Sequence, residues 1–311
     1  MALQSDSSSP PTADRETATA IVRKTLGGDL RVTGLRQLNG GMVNHVSLWT
    51  TDGEPGQLVA KINSRDHAPT FRREAKSLRL YRKLTRLPVP RPLGTFDSEE
   101  HHLAGLLLQY VPGRTADSAQ LSDAGQQHFQ KLLARHVASL HDHQGDRFGS
   151  ATRGEGYDRW RDAFAPLIEQ EYQAVRDQLG TPSRRAIERV LARLGDWLPE
   201  QALPTLVHGD LWSTNILVDD THPDRPRIAA FVDVRAAYAD PEYELAYLRL
   251  FHTADSSFFR HYTRRHALRP DFERRCRVYW LQSMLRHLRL FGGRYLGVCE
   301  DLAGQLRKLE K

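Results

Sequence analysis

The residues best suited to chemistry crowd into one stretch, Leu206-Val207-His208-Gly209-Asp210-Leu211-Trp212-Ser213-Thr214-Asn215-Ile216-Leu217-Val218. An aspartate, Asp210, is followed five positions later by Asn215, and Asp233 closes the next apolar segment, Ile228–Val232. These types at this spacing suit phosphoryl transfer. A carboxylate must position the attacking hydroxyl and take its proton, and hard oxygen ligands must hold the metal that bridges the phosphates. Asp210 is therefore the candidate catalytic base, and Asn215 and Asp233 are the candidate magnesium ligands. A lone His-Gly-Asp is a weak signal. The full set, each member on or beside an apolar strand, is a strong one. The flanking apolar runs predict a buried hairpin-like loop that presents His208, Asp210 and Asn215 together.

The N-terminal part of the chain offers an independent check. Lys61 lies in an apolar strand, Leu58-Val59-Ala60-Lys61-Ile62. Glu74 follows Phe71 by three positions and precedes Leu78 by four, so on a helix it shares their apolar face. An inward carboxylate needs a partner, and Lys61 is the natural one. A strand lysine held by a helix glutamate is a device for orienting the α- and β-phosphates of ATP. Gly40 and Gly41, in the segment Asn39–Asn44, join two predicted strands. Glycines let backbone amides approach phosphates closely, so this turn is predicted to cover a nucleotide. No P-loop pattern occurs. Asp240, Glu242 and Glu244 lie at a predicted helix start with Pro241 in its first turn, where carboxylates suit the electropositive end. A second expectation is that some of them, Asp240 and Glu242 as candidates, face the cleft and attract an amine-bearing acceptor.

These residues need elements to hold them. Residues 15–27 read as a helix ending at Gly27-Gly28. Strands are predicted over Arg31–Leu38, Val43–Thr50 and Gln57–Ile62, then a helix over 68–87 closed by Pro88 and Pro90. Leu103–Val111 reads as a buried strand, and Pro112-Gly113 closes it. Its end is the predicted hinge, with Gln109 and Val111 as candidates for adenine recognition through the backbone. Helical spacing then follows in three runs: Phe129, Leu133, Val137, Leu140; Trp160, Phe164, Leu167, Leu179; and Ile187, Val190, Leu194, Trp197. Helices resume near Glu242. The layout is α+β: a flexible tail over 1–14, an antiparallel sheet with one helix over 15–110, and a larger mainly helical lobe over 111–311. The cleft between two such lobes is where ligands bind.

Composition narrows the function classes. The chain has 311 residues with 40% hydrophobic and 26% charged, which is globular composition. The net charge of +6 is too modest to argue for a polyanion partner. The arginines between Arg260 and Arg294 alternate with Val278, Leu281, Leu285, Leu288 and Phe291, so they read as a solvated helix surface rather than a nucleic-acid groove. No apolar run reaches the ~18 residues of a membrane span, and the N-terminus lacks a signal-peptide stretch. Two cysteines, Cys276 and Cys299, read as reduced thiols in a cytoplasmic protein.

The sequence resembles the aminoglycoside phosphotransferase-like kinases, and within them the fructosamine (ketosamine) kinases. The resemblance rests on His208-Gly209-Asp210-Leu211-Trp212-Ser213 with Asn215, and on Asp233 with Ala236, Tyr238, Glu242, Leu245 and Ala246. Gly40-Gly41 with Asn44, Lys61, Glu74, Leu140-His141 and Phe148-Gly149 support it. Trp212 after His-Gly-Asp-Leu favours the fructosamine kinases over the antibiotic kinases and is a candidate substrate-binding residue. The sequence departs from the family at Thr214, where glycine is usual, at Val234-Arg235, where Pro-Ala is usual, and at Glu244, where the wider pattern has aspartate. The resemblance implies a two-lobed protein-kinase-like fold, ATP with magnesium, and phosphorylation of a sugar hydroxyl. The implied acceptor is a ketose joined to an amine, free or on a glycated protein, and a monomer is favoured. An aminoglycoside-type antibiotic or sugar kinase is the alternative, and a non-catalytic nucleotide-binding protein a further one. The absence of D-F-G and A-P-E elements argues against a protein kinase.

Overall fold

The computed structural model describes residues 10–38 and 43–309. The predicted glycine turn at Gly40 and Gly41 lies outside the described residues, as do residues 1–9 of the predicted tail. Helix α1 (Arg15–Leu26) is started by Asp14, whose side chain accepts from the Thr17 amide, and stopped by Gly27 at φ 81°. Five antiparallel strands follow: β1 (Val32–Gln37), β2 (His45–Thr51), β3 (Gln57–Ser64), β4 (Pro92–Ser98) and β5 (Leu103–Gln109). They pair in the order β1-β2-β3-β5-β4. Helix α2 (Ala68–Leu84) lies between β3 and β4 in sequence. It ends at Leu84, because Thr85 is extended and its amide closes on Tyr81, three residues before the Leu87 to which the spacing extended it. Strand β4 escapes the sequence pattern, since Pro92, Gly94 and Thr95 interrupt its alternation.

Alternation along the central strands decides which side chains face the site. On β3, Leu58, Ala60 and Ile62 pack with α1, together with Leu103 and Leu107 of β5. The opposite face of β5, Ala104, Leu106 and Leu108, packs with Phe71, Ala75, Leu78 and Tyr81 of α2. Strand β5 is buried on both faces, which is why it reads as a continuous apolar run. Because side chains alternate with period two, Lys61 points to the α2 side, opposite Leu106 in the register.

The rest of the chain is mainly helical. It comprises β6 (Arg114–Thr115), α3 (Asp123–His141), β7 (Gly149–Ser150), α4 (Trp160–Val175), α5 (Thr181–Ala192), α6 (Leu194–Trp197), β8 (Thr205–Val207), β9 (Ile216–Asp219), β10 (Arg227–Phe231), β11 (Ala237–Ala239), α7 (Pro241–Leu250), α8 (Ser256–Tyr262), α9 (Phe272–Phe291) and α10 (Leu296–Leu309). Leu167 and Leu179 do not extend one buried stripe: Leu167 is exposed and Leu179 lies beyond the end of α4. The run Ile187 to Trp197 is two helices, broken at Arg193.

Two small sheets frame the polar loop, β10-β9-β6 and β7-β11-β8. Strands β8 and β9 therefore do not pair, which corrects the hairpin expected around Asp210. The loop crosses from one sheet to the other, and the hairpin is formed by β9 with β10. One apolar core runs without a break from α2 and β5 through α3 into α9 and α10. Tyr81 of α2 donates its hydroxyl to the Val207 carbonyl, and Phe231 donates its amide to the Pro88 carbonyl at 2.7 Å. These bonds tie α2 to the strands that carry the polar loop. Among the described residues, no helix is long and apolar enough to cross a membrane.

Candidate active site

The turn after β8 requires glycine. Gly209 has φ +79°, and a Cβ there would lie 2.4 Å from the Arg235 carbonyl oxygen. The close approach brings the segment after Asp233 against the segment before Asp210, and the Arg235 amide donates to the His208 carbonyl at 2.8 Å. His208 is fully buried. Its Nδ1 accepts from the Asp210 amide at 3.3 Å, and its Nε2 has no partner among the described residues. Burial pulls its pKa below the ordinary value, against the opposing pull of Glu244 and Asp210. The buried ring thus braces the loop from within by accepting from the Asp210 amide.

A buried chain of polar groups fixes the loop from below. The Gly209 amide donates to Glu244 Oε1 at 2.9 Å. Glu244 Oε2 lies 3.2 Å from His141 Nε2, and His141 Nδ1 lies 2.7 Å from the Tyr262 hydroxyl. Glu244 thus has a place in the site beyond its helix-start composition. Sequence reasoning counted it among the helix-start carboxylates and as a departure from a pattern, and noted His141 only as a supporting match.

Asp210 projects from this fixed loop with its side chain 17% exposed. Its Oδ1 accepts from the Tyr247 hydroxyl at 2.9 Å, and its Oδ2 lies 3.4 Å from Arg235 Nη2. Burial first, then the Asp210 charge, raises the Tyr247 pKa, so Tyr247 is a fixed donor. One oxygen of Asp210 is held, and the other faces a guanidinium at longer range. No motif marked Tyr247. The signal that could have found it is its helical spacing from Tyr243 and Glu244 on α7, whose first turns face the loop.

Asn215 is buried. Its Nδ2 donates to the Asp210 carbonyl at 2.8 Å, which turns the amide oxygen the other way. Asp233 sits two residues past β10 with φ 58°, an αL conformation that a β-branched residue would resist. Its carboxylate, 39% exposed, pairs with Lys61 Nζ. Lys61 Nζ also lies 2.6 Å from Glu74 Oε1, with both side chains nearly buried. The lysine therefore stands between a helix carboxylate and the carboxylate after β10. The donor set suits magnesium, which takes one or two protein oxygens and completes its shell with phosphates and water. Among the described residues, no group of three or more His, Cys, Asp or Glu could hold a metal by itself.

The other expected site residues divide. Gln109 donates its amide to the Arg91 carbonyl at 2.9 Å, so that amide is not available to an adenine ring. Val111 is half-buried and lines a groove with Gly113, Arg114 and Asp219. Trp212 is half-buried, with its ring 5.5 Å from Phe251, at the edge of an aromatic group that continues to Tyr247 and His287. Asp240 and Glu242 do not face the cleft, which corrects their expected role as acceptor ligands. Asp240 is wholly buried, caps α7, accepts from the Tyr279 hydroxyl at 2.7 Å and pairs with Arg269. Glu242 is buried and pairs with Arg275 at 2.6 Å. Arg275 thus also leaves the solvated surface predicted for its arginine run. Cys276 and Cys299 are free and buried, and burial pushes both thiols up to about 12.

Comparison with known proteins agrees with this geometry. A family model described as fructosamine kinase matches residues 15–308. A probable ketoamine kinase of Synechocystis is 27% identical, over 94% of this chain and 97% of its own. The ketosamine-3-kinase of Mus musculus is 24% identical, over 93% and 99%. Among solved structures, a Thermobifida fusca protein put forward as a fructosamine-3-kinase superposes with a TM-score of 0.72 at 22% identity, covering 94% of this chain and 99% of that one. An aminoglycoside phosphotransferase in ternary complex with ADP and hygromycin B superposes with a TM-score of 0.66 at 22% identity, covering 93% and 97%. These likenesses show the protein-kinase-like fold.

Proposed function

The chain belongs to the fructosamine kinase family, and we propose that it transfers the γ-phosphoryl group of ATP to the 3-hydroxyl of a ketose joined to an amine. The observation that carries this reading is the convergence on one cleft of Lys61, held by Glu74 and Asp233, and of Asp210, held by Tyr247. Residues 15–110 would hold the nucleotide and residues 111–311 the acceptor. Lys61 would orient the phosphates, and Glu74 fixes the ammonium that does so. Val111 would meet the adenine, and the glycine turn of Gly40 and Gly41 would cover the phosphates.

Asp210 would align the acceptor hydroxyl and receive its proton as the new P–O bond forms and the bond to the ADP oxygen breaks. Tyr247 holds one carboxylate oxygen by a hydrogen bond at 2.9 Å, so the other, which faces Arg235 at the longer 3.4 Å, is the one left to take the proton. The buried Glu244–His141–Tyr262 chain keeps the loop from moving away during the transfer. Most of the rate advantage would come from such positioning and from charge placement. Magnesium, held by Asn215 and Asp233, would neutralise charge on the phosphates. Trp212 and its aromatic neighbours would receive the sugar or its amine-bearing part.

The test is ADP release with magnesium and ATP against fructosyl-lysine and a panel of aminoglycosides, with Asp210→Asn as the blank. Turnover on fructosyl-lysine is the expected result. Turnover on an aminoglycoside alone would favour the second reading, an antibiotic kinase. That reading draws support from the fold shared with aminoglycoside phosphotransferases and from Val234-Arg235, where this chain departs from the fructosamine kinase pattern.

A further inference from the structure

Arg235 stands at the rim of the cleft beside Asp210, and Arg73 and Arg153, on two other elements, lie near enough for the charges of Arg153 and Arg235 to act on Arg73. Arg235 lies two residues after Asp233 and reaches Asp210 Oδ2 at 3.4 Å with its own side chain 51% exposed. Arg153 lies in the turn after β7, where its amide donates to the Ser150 carbonyl at 3.3 Å and the Ala151 amide donates to the Ala236 carbonyl at 3.0 Å. That turn is therefore stitched to the segment that carries Arg235. Arg73 is the residue before Glu74 on α2, and Glu74 is tied through Lys61 to Asp233. All three arginines are exposed.

The cluster is under-neutralised. The Arg73 guanidinium donates to the Thr70 hydroxyl at 3.0 Å. Among the described residues, neither Arg73 nor Arg153 has a carboxylate partner. Burial first, then the positive charges of Arg153 and Arg235, pull the Arg73 pKa below its ordinary value. Three guanidinium groups from three separate elements repel one another, and an anion seated among them removes that cost. Their planar donor forks match the oxygens of a carboxylate or a phosphate ester.

We propose that Arg73, Arg153 and Arg235 form an oxyanion subsite for a negatively charged group carried by the acceptor. The inference rests on the ketosamine reading above and narrows it. The acceptor pairs an amine with a nearby carboxylate or phosphate, as in the ketosamine of a free amino acid or a phosphorylated ketosamine. A bare glycated side chain lacks that second charge.

The experiment compares kcat/KM for fructosyl-glycinamide, fructosyl-glycine and fructosyl-glycinamide 6-phosphate, with ATP saturating, in the wild-type chain and in Arg153→Ala, Arg235→Ala and Arg235→Lys. The first two acceptors differ by the carboxylate alone, and the third adds the phosphate, so the arms separate the two sources of charge. The expected result is at least a tenfold preference for one anionic acceptor, expressed mainly in KM. Arg153→Ala and Arg235→Ala should reduce that preference at least threefold, Arg235→Lys should restore part of it, and the KM for ATP should stay within twofold in Arg153→Ala. Equal turnover of all three acceptors would overturn the subsite and leave the family reading standing. A raised KM for ATP in Arg153→Ala with the acceptor preference intact would also overturn it, by assigning the arginines to the nucleotide. No turnover of any ketosamine would overturn the proposed ketosamine activity and the subsite with it.

Discussion

Two groups of acids sit within one short stretch of chain, and the structure treats them in opposite ways. Asp210 and Asp233 keep part of each carboxylate open, 17% and 39% of the side chain, and Lys61, the partner of Asp233, is one a nucleotide could share. Asp240, Glu242 and Glu244 are buried and fully committed to Arg269, Arg275, Tyr279, His141 and the Gly209 amide. The difference teaches that carboxylate content near a motif does not identify the working acids. What separates them is whether each partner can be exchanged for a ligand. Breaking a buried pair leaves a bare charge behind, so the closed group is structural, with Glu244 holding the loop, and the open group is the one we propose for the chemistry.

The sharpest way to break that comparison is to change one acid of each kind. Asp210→Asn should lower kcat by roughly 10²–10⁴, the usual contribution of a general base, while ATP affinity and the thermal midpoint hold. Full turnover in that variant would end its assignment to the open group. Glu242→Gln should do the reverse. It strands Arg275, so chemical denaturation should show a loss of about 3–5 kcal/mol, with kcat per folded molecule within a few-fold. A large kcat loss at unchanged stability would place Glu242 in the site after all.

Smaller effects sharpen the boundary between the groups. Asp233→Asn should weaken magnesium-dependent ATP binding at least by the about tenfold that loss of even an outer ligand partner costs. Calorimetry with and without magnesium reads this, and an unchanged magnesium dependence would count against Asp233 as a ligand. Tyr247→Phe removes a hydrogen bond to a charged acceptor, worth about 1.5 kcal/mol, and should lower kcat about tenfold without moving the KM for ATP. The smallest effect belongs to His208. Its pKa is lowered by burial, so between its folded and unfolded pKa values the unfolded chain binds more protons, and stability falls as pH drops below about 6.5. The unfolding free energy of His208→Asn should decline less steeply over that range than that of the wild type, and equal slopes would show that His208 does not titrate on unfolding.

Much of the site was legible before any fold was known. The spacing of Asp210, Asn215 and Asp233 singled out the phosphoryl-transfer set. Helical periodicity placed Glu74 on the inner face of α2, and the need of an inward carboxylate for a partner pointed to Lys61; the 2.6 Å contact bears out that pairing. Less was legible where the chain's local signal was weak. Strand β4 carries a proline and a glycine, and β11 is three residues long. Neither has enough alternation to register. The β8–β9 hairpin was a misreading of two apolar runs that pair with different sheets, because short strands carry no mark of their partner. Tyr247 escaped notice, and the bond of Glu244 to the loop did too, because their partners, Asp210 and Gly209, are more than thirty residues away in sequence.

The sequence by itself determined the kind of chemistry, the residues able to perform it, and the pairing of Lys61 with Glu74. These follow from residue type, from spacing and from the helical period of 3.6, which are local properties of a chain. Only the tertiary structure decided which acids stay open, which oxygen of Asp210 is held, and that Arg235 faces the other. Exposure and charge are settled by what packs on a residue from elsewhere. Helix α9 and the loop before it bring Arg275 and Arg269 onto Glu242 and Asp240, and nothing within the segment Asp240-Pro241-Glu242 foretells that arrival.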